Sequence, residues 1–199
     1  MESGCQIMLT VVLIRPGSTD FDEQGRIKGT LDVSLNENGA QQVARTVDEL
    51  SDLALAAIYS APCRCCQQTA AALAGQRGLK VNCLKCLHNL DRGLWQGMLI
   101  EEVKQKQPRV YRQWQEHPET VCPPEGESLV DARQRVTAFV ARLCKKHRDG
   151  VIAVVAPEPL ASLMGGHLRQ SELGDLWKAE CDCGRWEEIH VEPRDLVLS

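Results

Sequence analysis

An apolar run near the N-terminus, interrupted only by Thr10, constrains the fold of this chain more than any other feature. It spans residues 7–14 and is long enough to form a strand that is buried on both faces. The turn that follows, Arg15-Pro16-Gly17-Ser18, lies where such a strand would end. Because ligands bind at the carboxyl ends of strands in open α/β sheets, the sequence predicts a binding site at this turn.

Strand-like and helix-like patterns alternate through the rest of the chain. Further strands are predicted at 55–60, 79–84, 151–156 and 185–191, and helices from Asn36, from Pro62 to Gly75, from Ser128 and over 160–168. Between them, residues 87–123 predict a helical insertion, with short helices near 101–105 and 110–115. Such alternation favours a three-layer α/β fold whose mostly parallel sheet is flanked by helices. We therefore predict a single domain over residues 1–199.

The overall composition excludes several classes of partner. The chain has 199 residues, 23 basic and 27 acidic side chains and a net charge of −4. An acidic balance argues against nucleic acid as a partner, because phosphate backbones select basic surfaces. No apolar run reaches the roughly 20 residues needed to cross a membrane. The N-terminus lacks the basic region of a signal peptide, so a cytoplasmic location is expected.

Ten cysteines are many for a chain of this length. They form the groups Cys63, Cys65 and Cys66; Cys83 and Cys86; and Cys181 and Cys183; with Cys5, Cys122 and Cys144 alone. Disulfide frameworks belong to small secreted domains, and free cysteines pack as small hydrophobes. We therefore favour ordinary thiols and predict no metal and no cofactor. Zinc binding that involves Cys83-x-x-Cys86 with Cys181 and Cys183, and redox chemistry, remain alternatives.

Several short motifs match one known family over nearly the whole chain. They are Arg15-Pro16-Gly17-Ser18-Thr19-Asp20-Phe21-Asp22, Tyr59-Ser60-Ala61-Pro62, Gly93-x-Trp95-Gln96-Gly97, Gly126-Glu127-Ser128 and Val154-Val155-Ala156-Pro157. The first resembles the Arg-His-Gly-Glu-Thr-x-Trp-Asn signature of the histidine phosphatase (phosphoglycerate mutase-like) superfamily. The resemblance implies a phosphoglycerate mutase-like fold.

The resemblance also implies where the catalytic groups would lie. In that family one histidine attacks phosphorus, two arginines and a second histidine hold the phosphoryl oxygens, and a carboxylic acid protonates the leaving group. Carried over, Pro16 and Pro157 occupy the two histidine positions, Cys65 occupies the second arginine position with Arg64 one residue away, and Asn89 occupies the acid position. The implied vestigial phosphate pocket contains Arg15, Pro16, Gly17, Ser18, Asp22, Arg26, Arg64, Cys65, Asn89, Pro157 and Glu158.

These exchanges predict a large loss of the family reaction. Removal of a nucleophile costs on the order of 10⁶ in rate, or roughly 8 kcal/mol of barrier. The resulting prediction is a catalytically inactive pseudophosphatase that acts as a binding, scaffold or regulatory module for a protein or small-molecule ligand, with a homodimer left open. The alternatives are altered chemistry with a thiol at Cys65, or a residual phosphomonoesterase or phosphoglycerate mutase-type activity. Arg15 is expected to pair with Asp22.

Overall fold

A five-stranded sheet forms the centre of the molecule in the computed structural model, which describes residues 8–191. Its strands are β1 (Leu9–Ile14), β2 (Leu55–Ser60), β3 (Val81–Cys83), β4 (Gly150–Val155) and β5 (Trp186–Val191). The spatial order is β3-β2-β4-β1-β5. All neighbouring pairs are parallel except β1 and β5. The predicted, mostly parallel α/β fold is confirmed. Ile7, at the start of the predicted first strand, and the isolated Cys5 lie outside the described residues.

The helices lie between the strands along the chain and flank the sheet. They are α1 (Asp20–Glu23), α2 (Glu37–Glu49), α3 (Arg64–Gly75), α4 (Ile100–Lys106), α5 (Pro108–Glu116), α6 (Leu129–Lys146), α7 (Leu160–Arg169) and α8 (Leu176–Ala179). The segment predicted as an insertion contains α4 and α5. None of the helices described between residues 8 and 191 combines the length and apolarity that a membrane span needs.

Two helix starts follow directly from their capping residues. The side chain of Asn36 accepts a hydrogen bond from the amide of Gly39 at 2.8 Å, and the hydroxyl of Ser128 accepts one from the amide of Asp131 at 3.1 Å. These bonds satisfy amides that the first turn of a helix leaves without a partner. Both helices therefore begin where the sequence predicts.

A cluster of buried aromatic side chains joins the segment predicted as an insertion to α8. Trp95, Trp114 and Trp177 are each at most 3% exposed and contact one another edge-on or tilted. The guanidinium of Arg92 lies 4.1 Å from the Trp114 ring centroid, and its Nη2 donates to Glu180 Oε2 at 2.8 Å. Both charged side chains are completely buried. These three tryptophans therefore fill core space.

Candidate functional site

The sheet register brings the two proline-containing strand ends together. Ile14 of β1 pairs with Val155 of β4, and the amide of Ala156 donates to the carbonyl of Ile14 at 3.0 Å. Pro16 and Pro157 each follow two residues beyond this pair. Because adjacent strands are about 4.8 Å apart, the two prolines lie at the same edge of the sheet. Both are buried.

Arg15 is held by carboxylates from the neighbouring strand ends. Its Nε lies 2.5 Å from Glu158 Oε1, and its Nη1 lies 3.2 Å from Glu187 Oε1. Asp182 is a third neighbour, at 3.6 Å from Nε. The expected pair with Asp22 is therefore wrong. Glu158 follows β4 and Glu187 belongs to β5, the two strands that border β1, so Arg15 meets their carboxylates at the sheet edge.

Glu158 is the most buried of these carboxylates, with a side chain only 1% exposed. Burial raises the pKa of Glu158, and the charge of Arg15 opposes that rise without cancelling it. Burial alone would lower the pKa of Arg15, but Glu158 and then Glu187 raise it. The amide of Ser162 in α7 donates to Glu158 Oε2 at 3.2 Å. Glu158 therefore links Arg15 to the start of α7.

Asp22 has a different cation as its partner. It forms a buried ion pair with Lys28, and it also accepts hydrogen bonds from the amide and hydroxyl of Thr19 at 2.7 and 2.8 Å. Burial would lower the pKa of Lys28, but the adjacent carboxylate raises it above its ordinary value. Sequence reasoning missed Lys28, which lies in the irregular segment between α1 and α2. A loop pattern does not show which side chain points inward.

Asn89 connects the loop to the end of β4. Its Nδ2 donates to the carbonyls of Gly29 at 3.1 Å and Glu158 at 2.8 Å. Its Oδ1 is buried, and among residues 8–191 it has no hydrogen-bond partner. The Asn89 side chain is thus fixed between two backbone carbonyls and keeps one free acceptor among residues 8–191.

Gly17 and Ser18 fix the turn that follows β1. A Cβ atom on Gly17 would lie 2.2 Å from the carbonyl oxygen of Gly39, so only glycine allows this approach of the turn to α2. The amide of Gly17 donates to Thr69 Oγ1 at 3.4 Å, and that of Ser18 donates to Gln42 Oε1 at 2.9 Å. Both residues therefore position Arg15 by fixing the backbone.

Two arginines from the predicted pocket bind elsewhere. Arg26 Nη1 donates to the carbonyl of Gly97 at 2.7 Å. The side chain of Arg64 is 65% exposed and pairs with Asp32 at 3.0 Å. Successive residues of a helix point about 100° apart, so Arg64 faces outward where Cys65 faces inward. Arg64 does not replace the family's second arginine.

Three thiols meet at the start of α3. The Sγ atoms of Cys63, Cys65 and Cys66 all lie within 4.8 Å of one another, and the first two are 3.7 Å apart. Hydrogen bonds from Cys65 and Cys66 lower the pKa of Cys63 to about 3. The hydrogen bond to Cys63 raises the pKa of Cys65 to about 12, and burial raises that of Cys66. Cys65 is also only 3% exposed, so the structure does not favour the alternative of a thiol nucleophile at this position.

Comparisons with known proteins identify relatives along almost the whole chain. The model of the histidine phosphatase superfamily (branch 1) matches residues 11–199. Phosphoserine phosphatase 1 of Hydrogenobacter thermophilus is 33% identical over 96% of this chain and 90% of its own length. A glucosyl-3-phosphoglycerate phosphatase of Mycobacterium tuberculosis is 32% identical over 67% of this chain, which spans 59% of that relative.

Solved structures show the same architecture. The structure of mycobacterial glucosyl-3-phosphoglycerate phosphatase in complex with VO3 matches with a TM-score of 0.77 and 25% identity, over 90% of this chain and 91% of its own. The Bacillus stearothermophilus protein YhfR matches with a TM-score of 0.77 and 25% identity, over 85% of this chain and 84% of its own.

These relatives overturn the prediction of a catalytically inactive module. Phosphoserine phosphatase 1 and the mycobacterial glucosyl-3-phosphoglycerate phosphatase structure, each matched over most of its length, are named as phosphatases, which points to catalysis and not to a scaffold. The prediction inferred loss of activity from the exchanged side chains alone, whereas the similarity extends over the entire catalytic fold. The expectation that the protein is not an enzyme is likewise unsupported. With the family's motifs along β1, β2 and β4 and its fold in place, this chain belongs to the histidine phosphatase superfamily, branch 1.

Proposed function

We propose that this protein is a phosphatase that hydrolyses small phosphomonoesters. The observation that carries the proposal is the similarity to phosphoserine phosphatase 1, which extends over 96% of this chain and 90% of the relative. A match of that extent includes every strand end at the candidate site. Glucosyl-3-phosphoglycerate phosphatase, another relative, is also named for a phosphomonoester of a small metabolite.

Arg15 is the residue that we assign to the phosphoryl oxygens. Glu158 and Glu187 bind its Nε and Nη1, which fixes the orientation of the guanidinium. Nη2 makes no hydrogen bond within residues 8–191, which leaves two N–H donors for a phosphoryl oxygen. The same carboxylates neutralise Arg15, and Asp22 neutralises Lys28. A dianionic phosphate therefore meets little net positive charge, and we expect weak binding, seen as a high KM.

We also propose that Pro16 and Pro157 occupy the positions of both active-site histidines of the family. A proline nitrogen within the chain belongs to an amide and has no lone pair for attack on phosphorus. The reaction that we propose is a direct displacement by water. The water oxygen forms a bond to phosphorus, the ester P–O bond breaks, and the alcohol leaves with a proton that originates from the water. Phosphate is the second product, and no phosphohistidine forms at residue 16.

The decisive experiment measures phosphate release by the purified full-length chain. L-phosphoserine and p-nitrophenyl phosphate are the substrates, and Arg15→Gln is compared with Arg64→Gln. We expect Arg15→Gln to lower kcat/KM by about 10²-fold or more, since it removes a charged donor from the developing phosphoryl charge. The exposed control Arg64→Gln should stay within about 2-fold of the wild type. Wild-type release no faster than that of Arg15→Gln would overturn the proposal.

A rapid-quench experiment in alkali, with phosphoserine radiolabelled on its phosphate, tests the direct displacement. We expect no label on the protein after rapid quenching in alkali, which preserves phosphohistidine. Covalent label there would contradict displacement by water. We also propose that residues 1–199 form a single domain, that the protein is cytoplasmic, and that its principal ligand is a small-molecule substrate. Sedimentation of the purified chain tests whether it forms a homodimer.

A further inference from the structure

We propose that the thiols of Cys63, Cys65 and Cys66 form a binding site for one thiophilic divalent ion of the zinc type. The three sulfurs would supply three ligands and leave a fourth position for water. This inference does not depend on the proposed phosphatase activity. It departs from the expectation of ordinary thiols, and it concerns a different group of cysteines from the zinc alternative considered above.

The distances between the sulfurs suit such an ion. A tetrahedral zinc site with Zn–S bonds of about 2.3 Å places its sulfurs about 3.8 Å apart. Cys63 Sγ and Cys65 Sγ are 3.7 Å apart, and every pair within the trio lies within 4.8 Å. The third sulfur therefore needs to move by about 1 Å or less to complete the geometry. Side-chain rotation alone supplies a movement of that size.

The local backbone explains why three closely spaced cysteines converge. Cys63 is the extended residue that precedes α3, and Cys65 and Cys66 lie in the first turn. The chain thus changes direction between the first and second thiol, which brings the side chain of Cys63 back over the turn. Cys65 and Cys66 are buried, whereas Cys63 is half-buried, so the half-buried sulfur provides access from solvent and the other two lie behind it.

The remaining cysteines show that convergence is not a general property of this chain. Cys144 is buried alone in α6, as a small apolar side chain would be. Cys83 is exposed on β3. Among the described residues, only one group of three or more cysteine, histidine or acidic side chains is close enough together to hold a metal ion. It consists of Cys63, Cys65 and Cys66. The cysteines between residues 8 and 191 are free thiols, so they form no disulfide framework.

Cobalt binding tests the proposal directly. The reduced, metal-free full-length chain is titrated with Co²⁺, whose charge-transfer absorption from thiolate reports the number of sulfur ligands. We expect one ion per wild-type chain with three thiolates. Each of Cys63→Ser, Cys65→Ser and Cys66→Ser should reduce the absorption by about a third. Each should also weaken binding by more than the roughly 10–100-fold that is lost when a residue that only orients a metal ligand is removed. Cys83→Ser and Cys144→Ser, the controls, should bind as the wild type does.

A measurement on the unmodified chain covers the case in which a serine variant fails to fold. Alkylation of the wild-type chain is mapped by mass spectrometry with and without Zn²⁺. We expect zinc to protect Cys63 at least about 10-fold while the exposed Cys83 reacts at the same rate. Absence of cobalt charge-transfer absorption, equal losses in the control variants, or unchanged alkylation of Cys63 would each overturn the site.

Discussion

The molecule contains two buried arginine–glutamate pairs in very different surroundings. Arg92 and Glu180 lie among the tryptophans, are completely buried, and meet at 2.8 Å. Arg15 and Glu158 lie at the sheet edge and meet at 2.5 Å, with Arg15 12% exposed. Arg15 has Glu187 and Asp182 as further neighbours. For Arg92, the only carboxylate contact among residues 8–191 is Glu180, and its Nε and Nη1 have no hydrogen-bond partner.

This difference indicates what each pair is for. A completely buried pair is costly to break, because the remaining charge has no water and no second partner. The Arg92–Glu180 pair therefore fixes the packing of the aromatic cluster and has no spare donor aimed at solvent. Arg15 contacts three carboxylates and remains partly exposed. A ligand can therefore take the place of one of these carboxylates. The first pair stabilises the aromatic cluster, and the partial exposure of the second agrees with the ligand-binding role that we propose for Arg15.

The largest effect is expected from Arg92→Met, which leaves the Glu180 carboxylate buried without a counter-ion. The free energy of unfolding should fall by about 3–5 kcal/mol, measured by urea denaturation. Arg109→Met, an exposed site on α5, is the matched control and should change stability by at most about 0.5 kcal/mol. Adding Glu180→Met to Arg92→Met should restore much of the loss; a double variant as unstable as the single one would contradict the ion-pair explanation.

A smaller effect is expected from Arg15→Met. The free energy of unfolding should fall by about 1.5–3 kcal/mol at pH 8, as for a lost hydrogen bond to a charged group. The decrease is smaller than for Arg92→Met because Glu187 and Asp182 are partly exposed and regain water. Without Arg15, Glu158 takes up a proton more readily, so the loss should shrink as the pH falls toward 5. Urea denaturation at both pH values measures this. A pH-independent loss as large as that of Arg92→Met would remove the contrast between the two pairs.

Glu158→Gln should reveal the cost of the buried carboxylate. Because burial raises the pKa of Glu158 in the folded protein, the folded state binds its proton more tightly than the unfolded state does. Wild-type stability is therefore lost as the pH rises from the ordinary glutamate pKa through the raised one. Relative to the wild type, Glu158→Gln should gain stability over that window and keep the gain above it. A difference that is constant between pH 4 and 8 would contradict the raised pKa.

The smallest effect is expected from Glu187→Gln. Its carboxylate is 29% exposed and pairs with both Arg15 and Arg169. Pairs open to solvent contribute at most about 1 kcal/mol, so stability should change by less than that. Added salt should reduce the difference further. A loss comparable to that of Arg15→Met would show that Glu187, and not Glu158, is the principal partner of Arg15.

Local patterns were sufficient for the five strands, for the longer helices and for the polar turn. The apolar runs, the caps Asn36 and Ser128 and the glycine-rich turns act over a few residues, so their effects are visible in the sequence. The direction of β5 was not visible, because the same strand pattern serves a parallel or an antiparallel neighbour. The inference of inactivity from Pro16 and Pro157 was wrong, because it considered individual side chains only. The similarity to named phosphatases extends over nearly the whole chain.

The sequence by itself determined that this chain forms an α/β sheet with a polar turn at the end of its first strand. Apolar periodicity and capping chemistry are local, and they suffice for that. Only the tertiary structure decided that Arg15 meets Glu158, 143 residues away, that Lys28 neutralises Asp22, and that three thiols converge at the start of α3. Partners of a charge or a thiol depend on which segments the packing of the core brings together, and no local pattern records that.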